Sequence, residues 1–220
     1  PPTPFLSLDP NRRCLIMMHR PSLPPIEEVG KEEVRLAGLR IDPVTNGPSR
    51  VPYSTGFTIR DIHTAEDREV TGLPTDARLG QIRFSPSGDH FAFTVRQNAG
   101  TTLWTVDVAS AKATCLADRE LNGIFGASFA WMSDGDRIVC RLLPDDRGNR
   151  PSGSPPPGPI IQENLREIAP SPTYQDLLKS PGDEQLFEHY GASEVAIVSL
   201  GGSIEVISEA GLHTRSAPSP

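Results

Sequence analysis

The chain has 220 residues and a formal net charge of -7, with 36% hydrophobic and 22% charged residues, 23 prolines and 19 glycines. Such a charge argues against a nucleic-acid surface, which needs clustered Lys and Arg. No apolar run reaches the roughly 18 to 20 residues that span a bilayer, and the Pro and Gly content favours short elements separated by turns.

The start, "PPTPFLSLDP", has neither the basic n-region nor the apolar h-region of a secretory signal. Within "LSLDPNRRCL" (6–15) an apolar strand meets the turn Asp9-Pro10-Asn11 and a second strand follows. Residues 20–56 then interrupt the strand pattern. Their charged stretch 26–37 suits a short helical turn, and the remainder reads as loop. "FTIRDIHTAEDREVTGL" (57–73) resumes as strand, turn, strand.

The clearest hairpin is "RFSPSGDHFAFTV" (83–95), and its "FSPSGDHFAF" (84–93) aligns without gaps on "WMSDGDRIVC" (131–140). Gly88 falls on Gly135 and Asp89 on Asp136, so glycine supplies a positive φ at the same turn position twice. Second hairpins follow at 103–117, where Trp104, Val106 and Val108 alternate with Thr105 and Asp107, and at 195–208. Between them, 144–191 opens with "PDDRGNRPSGSPPPGP", too rich in Pro and Gly for regular structure. It closes on a predicted helical hairpin that packs on the strands. Tyr174, Leu177 and Leu178 share one helical face, Pro181-Gly182 breaks it, and a second short helix carries Leu186, Phe187 and Tyr190.

Hairpin plus hairpin makes a four-stranded unit of about 40 residues, the period of a propeller blade. The expected fold is therefore all-β, a partial β-propeller of about three four-stranded blades at 5–73, 80–117 and 127–208. Loop-and-helix insertions lie at 20–56 and 144–191. Because propellers close with roughly four to eight blades, the chain is expected to be the N-terminal part of a longer polypeptide.

The stretch "LPPIEEVGKEEVRLAGLRIDPVTNGPSRVPYSTGFTI" (23–59) resembles the first-blade insertion of glutamyl endopeptidases, above all in "LAGLRID", "SR" and "YSTG". "FAW", "GPIIQEN" and "TYQDLLKSPGDEQLFEHYGASEVAIVSLGG" follow the order and spacing of the same family, a chloroplast and bacterial branch of the prolyl-oligopeptidase-like serine peptidases. The resemblance implies a propeller that gates access to a C-terminal α/β-hydrolase domain bearing a Ser-Asp-His triad. Its substrate would be a peptide or unfolded segment cleaved after Glu. The partner of these residues would be the remainder of the same polypeptide, with no nucleic acid, membrane or cofactor involved. The compartment would be the plastid stroma in a plant or alga, and the cytoplasm in a bacterium. The G-x-S-x-G elbow that carries the nucleophile in such domains does not occur in the sequence, so no residue here is assigned as catalytic. Two other readings stay open: a dipeptidyl or acylaminoacyl peptidase of the same superfamily, and a non-catalytic propeller scaffold.

Individual residues follow from that frame. Cys14, Cys115 and Cys140 are too few and too far apart for a disulfide framework or metal site, and read as buried small hydrophobes. His19, His63, His90, His189 and His213 lack metal-ligand spacing and read as surface or turn residues. Cleavage after Glu requires a cation for the substrate carboxylate, and a bidentate guanidinium suits it best. Arg40 in "GLRID" and Arg50 in "PSRVPY" lie in the segments nearest the family pattern and are the candidate substrate-binding residues.

Overall fold

Period-two alternation between turn residues produces a molecule built almost wholly of antiparallel strands. The structure, a computed structural model, describes residues 2–23, 25–97, 100–151 and 176–214. In chain order its elements are β1 (Phe5–Leu8), β2 (Cys14–His19), α1 (Ile26–Val29), β3 (Val34–Leu36), β4 (Leu39–Asp42), β5 (Gly47–Pro48), β6 (Gly56–Asp61), β7 (Asp67–Glu69) and β8 (Arg78–Phe84). There follow β9 (His90–Gln97), β10 (Gly100–Asp107), β11 (Lys112–Ala117), β12 (Phe129–Trp131), β13 (Arg137–Leu142), α2 (Pro181–Gly191), β14 (Glu194–Ser199) and β15 (Ile204–Val206).

Three four-stranded sheets form in succession, ordered β1-β2-β6-β7, β8-β9-β10-β11 and β12-β13-β14-β15. Each is an antiparallel meander, and the first and third are interrupted after their second strand. The three turn-centred hairpins at 6–15, 84–93 and 131–140 are all present as β1–β2, β8–β9 and β12–β13. This is the partial-propeller arrangement of an all-β chain.

Alternation along β9 explains why the sheets stack face to face. Phe91, Phe93 and Val95 pack with Ile16, Phe57 and Ile59 of the first sheet. The Phe57 ring stands edge-on to both Phe91 and Phe93, with centroids 5.7 and 5.1 Å apart. Ala92 faces the other way, and with Leu103 and Leu116 it meets Phe129, Ile138, Cys140 and Val198 of the third sheet. The middle sheet is thus buried on both faces, and dispersion and apolar burial hold the stack.

Polar contacts fix the register between sheets. The buried Asp9 carboxylate accepts hydrogen bonds from the Asn11 and Arg13 amides and from Arg13 Nε. It thereby shapes a turn that docks on the next one: Asn11 Nδ2 and Arg13 Nη2 donate to the Ser87 carbonyl at 2.6 and 2.8 Å. Gly88 is required there twice over. Its φ is +73°, and a Cβ would fall 1.8 Å from Asp9 Oδ1. At the second junction Gln81 Oε1 accepts from Ser128 N and Oγ at 3.0 Å, and Trp131 Nε1 donates to the Arg83 carbonyl at 2.9 Å.

The insertions depart from expectation. Residues 34–48 form a three-stranded sheet, β3-β4-β5, where the sequence suggested the end of a helical turn (26–37) and then loop. Val34, Leu36 and Ile41 are buried while Arg35 and Arg40 point outward, a strand alternation only three or four residues long. Ala37-Gly38, with φ of +50° and +77°, makes the two-residue hairpin turn. The predicted helical hairpin reduces to α2 alone among the described residues. Leu177 and Leu178 lie in irregular chain and are 55% and 36% exposed, and Tyr174 lies outside the described residues. Helix formation starts at Pro181, where proline suits the first turn and Ser180 with Asp183 completes a capping box. The apolar side of α2 does not cover the large sheets. Tyr190, Leu186 and Phe187 pack instead with Val34, Leu36 and Ile41 of the small sheet and with Ile124 and Phe125, so the two insertions share one core.

Cys14 and Cys140 are buried as expected, and desolvation pushes the Cys140 thiol up to about 12. Cys115 is exposed instead: it lies opposite Trp104 on β11, the edge strand of its sheet, just before a register irregularity at Leu116, which is buried.

Candidate functional site

Charge collects in the first insertion in a way the chain's overall acidity does not suggest. Glu33, just ahead of β3, has a side chain 7% exposed, covered by its own partners rather than by the apolar core. The Ser49 hydroxyl donates to its Oε2, and Arg35 Nε donates to Oε1 at 3.0 Å. Arg40 Nη1 lies 3.7 Å from Oε1 and Arg50 Nε 3.7 Å from Oε2. The Ser49 hydrogen bond first, then Arg35 and the charges of Arg50 and Arg40, hold the carboxyl below its ordinary range. The two arginines singled out from sequence are thus brought together around one internal carboxylate, each with about half its side chain exposed.

Arg50 differs from Arg40 in two respects. Its φ is +54°, a left-handed conformation that a non-glycine residue adopts only against a steric cost. It also lines a cavity of about 310 Å³, whereas Arg40 does not. The cavity's walls come from the chain entering the insertion (Arg20, Pro21), from α1 (Glu28) and from the chain leaving it (Arg50, Val51, Pro52, Tyr53). Most of that surface is apolar, with a few charged groups converging on it, the usual composition of a ligand cavity.

The charges around it are unevenly matched. Glu28, 7% exposed, is paired with Arg78 Nη2 at 2.9 Å and Lys31 Nζ at 3.2 Å. Arg78 lies over the Tyr53 ring, 5.5 Å from its centroid. Arg96 donates to the Val51 carbonyl at 3.1 Å, and burial pulls its guanidinium below the ordinary arginine value. Arg20 donates to the Thr3 carbonyl at 3.0 Å and stacks 3.9 Å above the Phe5 ring. Among the described residues, neither Arg96 nor Arg20 has a carboxylate within 4.0 Å.

Arg20, Arg78 and Arg96 escaped the sequence reading. The faint signal for Arg20 is its position beside Pro21 at the insertion's first residue, and nothing local marks the other two. A second cavity, of about 340 Å³, lies between the 144–151 loop and α2. Arg147 Nε donates there to the His189 carbonyl at 2.9 Å, and burial, with the nearby Arg147 and Arg150 charges, lowers the His189 imidazole to about 4. No cluster of His, Cys, Asp and Glu suited to a metal ion occurs among the described residues.

No protein-family model matches the chain. It is 34% identical over 235 aligned positions to a protein of Oryza sativa subsp. japonica named "Probable glutamyl endopeptidase, chloroplastic", and 31% identical over 233 to one of Arabidopsis thaliana with the same name. Both alignments cover 100% of this chain, but 25% and 24% of those proteins. Among solved structures it resembles the Pyrococcus horikoshii acylaminoacyl peptidase, with a TM-score of 0.44 and 14% identity over 95% of this chain and 25% of that one. The chain thus spans about a quarter of the length of the curated relatives it matches, and over that span it is similar to proteins named glutamyl endopeptidases.

Proposed function

We propose that the chain is the propeller portion of a serine endopeptidase that cleaves peptide bonds after Glu, gating access to a Ser-Asp-His hydrolase domain elsewhere in the same polypeptide. The observation that carries this is the match to glutamyl endopeptidases along the chain's entire length, insertions included. The stacked sheets would provide a rigid wall and the insertion its cationic lining. The arginine-bearing cavity supports Arg50 as a contact for the substrate carboxylate, with Arg40 acting through the shared Glu33.

The test uses the complete polypeptide. A fluorophosphonate should label it at one serine, and a peptide with internal Glu should be cut faster than its Gln counterpart. Absence of labelling would remove the serine-peptidase assignment. Arg50→Ala should lower kcat/KM for the Glu peptide by roughly tenfold or more, the scale of a charged hydrogen bond, and Arg40→Ala by less. If both variants keep full kcat/KM after Glu, neither arginine contacts the substrate.

A further inference from the structure

We infer that Arg20 is a specificity-determining cation of the 310 Å³ cavity beside Arg50, and that the ligand it recognises there is the acidic side chain of a peptide substrate. The inference rests on the peptidase assignment above and deepens it.

The cations around the cavity differ in how far they are already paired. Arg50 reaches Glu33, a carboxylate it shares with Arg35 and Arg40. Arg78 is bound to Glu28 at 2.9 Å. Arg20 lines the same cavity, yet has no carboxylate within 4.0 Å among the described residues. Its Nε is buried with no hydrogen-bond partner among the described residues. A buried guanidinium N–H left without an acceptor is costly, and a carboxylate is the acceptor that matches it best.

Arg20 is also held ready. Its Nη2 is tied to the Thr3 carbonyl, and its flat face rests on the Phe5 ring, so little rotamer freedom remains to be lost when a ligand arrives. Pro21, Val51, Pro52 and Tyr53 supply an apolar surround that strengthens any ion pair formed inside. The one carboxylate among the described lining residues, Glu28, has its charge offset by Arg78 and Lys31. Arg96, behind Val51 and likewise without a carboxylate among the described residues, leaves the local balance positive in a chain whose net charge is -7. The volume suits one acidic side chain with its flanking backbone.

The experiment compares kcat/KM of the complete enzyme on two peptides that differ only in Glu or Gln at the cleaved position. Arg20→Gln should lower the Glu/Gln ratio roughly 10- to 100-fold, the range of a charged hydrogen bond, with the Gln peptide cleaved within twofold of wild type. Arg20→Lys keeps the charge but loses the planar fork and the ring stacking, so its ratio should fall between the two. Equal losses on both peptides would show a purely structural role and overturn the inference. So would a wild-type ratio in Arg20→Gln, and if the protein still loses its preference through Arg50→Ala, the peptidase assignment survives without Arg20. A wild-type enzyme with no preference for Glu defeats the assignment itself, and this inference with it. Should Arg20→Gln fail to fold, Arg20→Lys decides: a Glu/Gln ratio reduced at least threefold supports the inference, and an unchanged ratio overturns it.

Discussion

The stacked sheets and the body made by the two insertions are held together by different physics. Between the sheets the core is apolar and aromatic: Phe57, Phe91 and Phe93 are fully buried, and the Phe57 ring meets the other two edge to face. In the insertion body the apolar core is small, and polar clips carry much of the attachment. Asn122 Nδ2 donates to the Tyr190 and Ala192 carbonyls at 2.9 and 2.8 Å, Asn46 Nδ2 to Tyr190 at 3.0 Å, and Arg150 reaches Glu32 at 2.9 Å. Nondirectional packing tolerates no lost volume, whereas a clip can open locally without unfolding what it is clipped to. The cavity and its arginines belong to the second kind of structure, mounted on the first.

The largest effect is expected where packing dominates. Phe93→Ala deletes a ring 5.1 Å from that of Phe57 in a site with no solvent exposure. It should cost about 3–5 kcal/mol, the usual range for a buried phenylalanine. Equilibrium denaturation of the variant checks this, and a shift comparable to that of a surface substitution would mean that the sheets do not share a common core.

Asn122→Ala should act on a smaller scale and in one place. Asn122 is 1% exposed, and its removal leaves the Tyr190 carbonyl with Asn46 alone and deprives the Ala192 carbonyl of this donor. A loss of about 1–3 kcal/mol follows from such unmade buried bonds. Hydrogen exchange should quicken in α2 and in β3–β5 while β9 and β13 keep their protection. Equal acceleration in all four would show that the insertion body and the sheets open together.

The same contrast governs what was legible in the sequence. The hairpins at 6–15, 84–93 and 131–140 are local events, because turn residues and alternation lie within ten positions. β3 and β4 were missed although Ala37-Gly38 is a hairpin signal, since three-residue strands give too short an alternation to outweigh the charged surround. The expected helix through Leu177 and Leu178 failed because the apolar spacing fits a helix, while the only strong start signal, Ser180-Pro181 with Asp183, comes after them. What joins Asn46 to Tyr190 is a contact across 144 positions, and no local pattern encodes it. The candidate site was half visible for the same reason. Arg40 and Arg50 sit in one segment, but Arg20 comes to the cavity, and Arg78 and Arg96 to the residues that wall it, only through the pairing of β2 with β6 and the stacking of the second sheet on the first.

The smallest effect tests the charge ring itself. Glu33 has its folded-state value depressed below the ordinary 4.5, so it contributes stability that is present above that value and lost as pH falls through the folded one. Asp61, Asp67, Asp89, Asp107 and Asp134 are depressed as well, by turn amides, by arginines or, for Asp107, first by the Ser110 hydroxyl, and each adds its own acid dependence to the whole protein. A global midpoint therefore does not isolate Glu33, but the difference between wild type and Glu33→Gln, read locally, does. Exchange protection in β3–β5 should be lower in Glu33→Gln at pH 7, because three arginines lose their common anion. The gap should stay constant from pH 7 to about 5 and then close as the wild-type carboxyl protonates. If the two proteins instead lose protection in parallel down to pH 3, the arginines are held by their backbone positions alone. The cavity would then owe its shape to the small sheet and not to its central carboxylate.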